Sequence, residues 1–337
     1  MSAHAPLSSP IAHGGRLDAA RRAYPHAPEP WIDLSTGINP NPYPLPVIAP
    51  EAWMRLPDEA AFANLDAAAR TAYGAPRDCA IVAGAGAQAF IQLLPRVFPA
   101  HRVGVLGFTY AEHGACWAAN GAKVETVATI EELAGFDVAV IVNPNNPDGR
   151  IAFPCDLGLL AQEMTRKGGL LIIDESFMDF TPEHSATSLA SLEGVVVLRS
   201  FGKAYGLAGV RLGFALCAPA RAAILRAALG PWAVSGPALA IGAEALADVR
   251  WRAAAAAGCA AEAERLDAAL ARAGFELLGG ASLFRLVRRD TAPDWFARLC
   301  EKGVLVRAFP ERPDWLRFGL PGSEPAWARL NAALEIG

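Results

Sequence analysis

The sequence predicts an α/β fold, with a large domain built on a mainly parallel sheet covered by helices and a smaller C-terminal α/β domain. Three observations predict it. Short apolar runs alternate with helix-patterned stretches through the first two thirds of the chain, the order expected of β-α-β units. The run Val138-Ala139-Val140-Ile141-Val142 lacks polar alternation, as a strand covered on both faces requires. After Pro219 the composition becomes Ala-rich and helical, and a second set of strand-like runs follows. The expected division is an N-terminal arm over 1–35, a large domain over 36–228 and a small domain over 229–337.

In chain order, the first stretch is rich in Pro and Gly, with Pro40, Pro42, Pro44 and Pro46 at every second position. Fixed φ and missing amides favour an extended arm, of the kind that can cross a subunit interface. A helical pattern covers 58–73 and stops at Gly74. Strands are predicted at 103–106, 123–127, 138–142, 170–173, 195–198 and 212–216, with helices at 88–97, 110–119 and 156–167. In the C-terminal part, strands at 284–287, 304–306 and 316–318 alternate with helices at 293–301 and 324–334. No internal repeat interrupts this order.

Bulk properties narrow the function. A chain of 337 residues that is 53% hydrophobic supports a large core and about two domains. A net charge of -4 offers no overall footprint for nucleic acid or anionic lipid, which leaves small molecules as the expected partners. The six cysteines, Cys79, Cys116, Cys155, Cys217, Cys259 and Cys300, are scattered without a Cys-x-x-Cys pair, so reduced thiols are expected rather than a zinc site or a disulfide framework. No stretch reads as a signal peptide or a bilayer span, and a cytoplasmic location is expected.

The chemistry concentrates in three segments. Ser200-Phe201-Gly202-Lys203 follows an apolar run and precedes a Gly-rich turn that contains Arg211. A lysine there is either a solvated loop residue or an amine that meets a bound aldehyde, with Ser200 and Arg211 suited to a phosphate. Pyridoxal 5'-phosphate carries both groups. Val82-Ala83-Gly84-Ala85-Gly86-Ala87-Gln88 runs from a strand into a helix, and reads equally as an anion site at a helix start or as a plain turn. Asn143-Pro144-Asn145-Asn146-Pro147 and Ile172-Ile173-Asp174 both sit at strand ends, where open α/β sheets bind ligands. Asp174 is either a helix N-cap or the partner of a ring nitrogen.

The order Asn146, Asp174, Ser200, Lys203, Arg211 resembles the fold-type-I pyridoxal-phosphate enzymes over almost the whole chain. The similar branch is aminotransferase class I/II, which includes histidinol-phosphate aminotransferases and threonine-phosphate decarboxylases. The resemblance implies that Asn146 contacts the cofactor's phenolic oxygen, that Asp174 pairs with its pyridine nitrogen and that Lys203 bonds it covalently. It implies phosphate contacts from Gly86, Ala87, Ser200 and Arg211, and a stacking ring from Tyr110 in Phe108-Thr109-Tyr110. Arg317 matches the family's substrate-carboxylate arginine, and Arg307 matches an arginine for a substrate phosphate. His13-Gly14-Gly15-Arg16 resembles an N-terminal segment that approaches that phosphate.

Two positions depart from the aminotransferase pattern, and the first of them, together with the His13-Gly14-Gly15-Arg16 segment, resembles the threonine-phosphate decarboxylases and favours decarboxylation. Phe177 stands where histidinol-phosphate aminotransferases usually have Tyr, and Leu56 stands where they commonly have a Tyr that reaches the neighbouring subunit's cofactor. The implied reaction is decarboxylation of L-threonine O-3-phosphate to (R)-1-aminopropan-2-ol O-2-phosphate in cobalamin biosynthesis, with histidinol-phosphate-type amino transfer as the alternative. The resemblance also implies a homodimer. A non-catalytic regulatory protein on this fold is a third reading, disfavoured by the intact lysine and by a leading segment too short for a helix-turn-helix domain.

Overall fold

The computed structural model describes residues 13–335. After a two-residue strand, β1 (Ile32–Asp33), come β2 (Ala80–Gly84), β3 (Arg102–Leu106), β4 (Lys123–Val127), β5 (Val138–Val142), β6 (Leu170–Asp174), β7 (Val195–Ser200) and β8 (Gly213–Cys217). β2 to β8 form one seven-stranded sheet in the order β2-β8-β7-β6-β5-β3-β4. Its neighbours pair in parallel except around β8, which is antiparallel to both β2 and β7. The mainly parallel sheet expected from the sequence is therefore present.

Alternate residues of the central strands enter two separate cores. Ala139, Ile141, Leu171, Ile173, Val195 and Val197 pack on one face with helices Glu59–Tyr73 and Pro154–Arg166. Val138, Val140, Leu170, Ile172, Val196 and Leu198 pack on the other with helices Ala87–Val97, Ala111–Ala119 and Pro219–Leu229. Every residue of β5, β6 and β8 is buried, which explains why these strands read as unbroken apolar runs.

The remaining strands are β9 (Glu276–Ala281), β10 (Phe284–Arg288), β11 (Val304–Leu305), β12 (Arg307–Phe309) and β13 (Arg312–Gly319). β12-β13-β10-β9 make a four-stranded antiparallel sheet, whose core joins Phe284, Leu316 and Phe318 to Leu266 and Leu270 of the long helix Val249–Arg272. Two packing relations cross the expected boundaries. β1 pairs in parallel with β11, and Leu34 is buried in the core of the small sheet, so the end of the arm lies with the C-terminal part. Helix Gly236–Ala247, beyond residue 228, places Leu239 and Ile241 in the core that contains Leu65 and Tyr73, on the large sheet.

The Pro-rich segment has no regular secondary structure between residue 34 and helix Pro50–Met54. It is nevertheless tied to its own chain. Asn39 N donates to Lys203 O at 2.9 Å and Tyr43 N to Tyr205 O at 2.9 Å, and Asn39 Nδ2 donates to Ala204 O at 2.8 Å. The segment thereby braces the turn that carries Lys203. Among the described residues no helix is long and apolar enough to cross a membrane.

Candidate active site

The carboxyl ends of β5, β6 and β7 open into a cavity of about 250 Å³, the position where an open α/β sheet presents loops to a ligand. His13, Gly14, Gly86, Ala87, Tyr110, Asn146, Asp174, Ser200, Lys203, Arg211, Arg307 and Arg317 all line it. Gly15 lies just behind the wall, where its amide donates to Ser35 Oγ at 2.7 Å.

β7 runs straight into a one-turn helix, Phe201–Ala204, that carries Lys203 into the cavity. Its Nζ donates to Thr36 O at 3.1 Å and stands 5.3 Å from the centre of the Phe177 ring. Burial depresses the amine, the nearby Arg317 guanidinium adds to the effect, and Asp174 only partly opposes it, which brings the pKa down to about 8. An amine held there becomes a nucleophile close to neutral pH.

Asp174 closes β6 and is buried. Burial alone would raise its carboxyl. His113 Nε2, 2.8 Å from Oδ2, and Ser176, whose N and Oγ donate to Oδ1 at 3.0 and 2.5 Å, outweigh that and hold it below the ordinary value. The carboxylate thus stays charged in a buried place, which suits it to a protonated ring nitrogen.

One wall is an anion cradle. Gly86 adopts a left-handed φ of 85° just before helix Ala87–Val97, and a Cβ there would lie 2.8 Å from Arg211 Nη2. At Gly213 a Cβ would run into Ala87 N, so β8 approaches the loop this closely only as glycine. Helix-start amides, the Ser200 hydroxyl and the Arg211 guanidinium therefore converge on one face. Tyr110, the N-cap residue of helix Ala111–Ala119, donates its hydroxyl to Gln88 Oε1 at 3.1 Å, and burial pushes that hydroxyl up to about 12.

The opposite wall is cationic. Arg307 and Arg317 are directly opposed partners on β12 and β13. Like charges placed opposite each other in a sheet are unfavourable without a counter-ion. Arg317 is buried, donates to Asn146 Oδ1 and to Ser35 O at 2.6 Å, and is pressed down to about 9 by burial and then by Arg307. Asp174 is the one carboxylate among the described residues that line the cavity, against Lys203, Arg211, Arg307 and Arg317. The arrangement calls for an anionic ligand. Phe177 presents an apolar edge, packed 4.9 Å from Phe284, and Leu56 is exposed and takes no part in the lining.

Residues 58–330 match the family described as aminotransferase class I and II. The chain belongs to the class I and II aminotransferase family. Within it, the chain is 44% identical over 330 residues to the threonine-phosphate decarboxylase of Pseudomonas aeruginosa, which covers 96% of this chain and 97% of the relative. It is 29% identical to histidinol-phosphate aminotransferase 3 of Mesorhizobium japonicum, over 98% of this chain and 95% of the relative. The crystal structure of the histidinol-phosphate aminotransferase of Sinorhizobium meliloti in complex with pyridoxal-5'-phosphate superposes with a TM-score of 0.75 at 23% identity, covering 99% of this chain and 97% of that one. That likeness is one of fold.

Three groups in this family member escaped the sequence reading. His113 is a lone histidine whose partner Asp174 is far away in sequence, although its position three residues after Tyr110 put it one helical turn from the expected stacking ring. Gln88 and Glu112 join each other and Tyr110 beside the cavity. Arg199, Glu175 and Asp179 form a buried ion cluster, with Arg199 Nη1 2.7 Å from Glu175 Oε2 and Nη2 2.5 Å from Asp179 Oδ1. Because side chains alternate along strands, Glu175 and Arg199 face away from the cavity that their neighbours Asp174 and Ser200 line. The signal available in the sequence was charge inside otherwise apolar runs, which demands a buried partner.

Proposed function

We propose that this chain is a pyridoxal 5'-phosphate-dependent carboxy-lyase that converts L-threonine O-3-phosphate to (R)-1-aminopropan-2-ol O-2-phosphate, a step of cobalamin biosynthesis. The observation that carries this reading is the near full-length identity to a threonine-phosphate decarboxylase, well above that to the histidinol-phosphate aminotransferase. The opposed Arg307 and Arg317 support it, because a phosphorylated amino acid brings two anionic groups to the two guanidinium groups.

The residues fit the cofactor. The cradle that a Cβ at Gly86 would fill suits its phosphate, which Gly86, Ala87, Ser200 and Arg211 would hold. Asp174, kept charged by His113 and Ser176, would face the ring nitrogen, and Tyr110 would cover one face of the ring. Asn146, with Oδ1 engaged by Arg317, has its Nδ2 to donate to the phenolic oxygen. Bound there, pyridoxal phosphate supplies an electron sink for cleavage at the carbon bearing the substrate amine.

The chain's own groups set the outcome. Arg317 would hold the carboxylate to be lost, while Arg307, His13, Gly14 and Gly15 would hold the phosphate. Together they would fix which bond at that carbon stands out of the plane of the electron sink. Lys203 Nζ, freed by the incoming amine, would carry the proton that replaces the carboxylate. The same reading includes a cytoplasmic homodimer.

The test supplies cofactor-loaded protein with L-threonine O-3-phosphate and no 2-oxo acid, and follows carbon dioxide. Sustained release is expected. Turnover that starts only when 2-oxoglutarate is added would make the enzyme an aminotransferase.

A further inference from the structure

His13 Nε2 lies 2.9 Å from Glu112 Oε1, and the other carboxylate oxygen of Glu112 accepts from Gln88 Nε2 at 2.9 Å. Gln88 Oε1 in turn accepts from the Tyr110 hydroxyl. A chain of hydrogen bonds, His13–Glu112–Gln88–Tyr110, therefore connects the N-terminal arm to the expected stacking ring. Glu112 is its branch point, and the next residue, His113, bonds Asp174. The first turn of helix Ala111–Ala119 thus touches the arm on one side and the buried carboxylate on the other.

The contact matters because of what the arm separates. His13 and Gly14 line both the catalytic cavity and a second, mainly apolar cavity of about 540 Å³ between helix Leu17–Ala23 and helix Ala292–Glu301. Arg307 lines both as well, so its cavity-facing surroundings depend on where the arm sits. Glu112 supplies the side-chain hydrogen bond that holds His13 between them. An imidazole that keeps Nε2 on Glu112 can donate to a phosphate only from Nδ1, and it then bears both protons and a charge that the carboxylate balances.

We propose that Glu112 is a positioning residue that docks the arm through His13 and so sets recognition of the substrate phosphate, without touching the reacting atoms. The inference rests on the phosphorylated-substrate reading above. It predicts that Glu112→Ala raises KM for L-threonine O-3-phosphate with little change in kcat. It further predicts that, once Glu112 is gone, His13→Ala adds almost nothing, whereas Glu112→Gln, which keeps a hydrogen bond, retains part of the wild-type KM.

Two measurements test this on the cofactor-loaded enzyme. In a double-mutant cycle of His13→Ala and Glu112→Ala, the expected non-additivity in kcat/KM is about fivefold or more, the scale of side chains in direct contact. Limited trypsin digestion without substrate, read by mass spectrometry, reports the arm independently of catalysis. Cleavage after Arg16 should accelerate in Glu112→Ala, stay near the wild-type rate in Glu112→Gln, and leave cleavage at Arg166 unchanged. Additive effects in the cycle, or Arg16 cleavage equal in wild type and Glu112→Ala, would overturn the proposal while leaving the decarboxylase reading intact. A wild-type enzyme that releases no carbon dioxide would defeat that reading instead, and the digestion would still judge the arm contact.

Discussion

Lys203 meets three guanidinium groups and one carboxylate in a half-buried setting, and that imbalance governs its behaviour with pH. Its folded pKa of about 8 lies below the ordinary 10.5, so between these values the unfolded chain retains a proton that the folded chain has released. The cofactor-free protein should therefore become more stable as pH rises from about 8 to 10.5, and Lys203→Met should remove that dependence. Thermal melting across this pH range checks the sign; a wild-type curve parallel to that of the variant would contradict it. Capture of pyridoxal phosphate, followed by absorbance, should rise through pH 8 and be absent in Lys203→Met. Lys203 and Asp174 were legible in the sequence because each follows an apolar run and both fall in the order Asn146, Asp174, Ser200, Lys203, Arg211, which removes the ambiguity each has alone. His113 was not. Its role comes from a contact with Asp174 that only the packing of helix Ala111–Ala119 on the sheet creates. Replacing it with Leu leaves the buried Asp174 short of its strongest partner. The expected loss in kcat is about ten- to a hundredfold, since a hydrogen bond to a charged group is worth about 1.5–3 kcal/mol. An undiminished kcat in His113→Leu would show that Ser176 alone suffices.

At the level of elements, β6 and β7 are clamped on the face opposite the cavity. Arg199 bonds Glu175 and Asp179, lies over the Tyr73 ring at 4.4 Å, and is shielded from water with both its partners. Glu175 is further held by Ser185 Oγ and Ala186 N, both at 2.6 Å. Removing the cation alone would strand two buried carboxylates. Arg199→Met should cost about 3–5 kcal/mol, whereas Arg166→Met, whose partner Glu163 is on the surface, should leave the midpoint nearly unchanged. Denaturant midpoints of the two variants compare them directly, and equal shifts would refute a special role for the cluster. The buried strands of the large sheet were readable because both their faces are apolar. β1, β9 and β12 were not: β1 and β12 are only two and three residues long, and β9 carries adjacent glycines at 279 and 280 with an irregular register against β10. Short or Gly-containing strands acquire their definition from a partner, which local pattern does not contain.

For the molecule as a whole, the exposed residues Val47, Trp53, Met54 and Leu56 cluster in sequence around helix Pro50–Met54. A group of large apolar side chains left in water marks a contact surface, in keeping with the proposed homodimer. Light scattering should give twice the 35.4 kDa chain mass, and Trp53→Glu with Leu56→Glu should lower it towards one chain. A wild-type mass of a single chain would remove the dimer from the reading. The proposed three-part division also has a mechanical side, because helix Gly236–Ala247 stays with the large sheet while Leu34 belongs to the small one. The pairing of β1 with β11 reaches beyond the finished enzyme. During synthesis the first strand leaves the ribosome long before its partner exists, so residues leading to Thr36, whose carbonyl receives Lys203, wait unpaired until Val304 and Leu305 have been made. The large sheet can form in the nascent polypeptide, but the pocket cannot close around a cofactor until β11 to β13 have followed it.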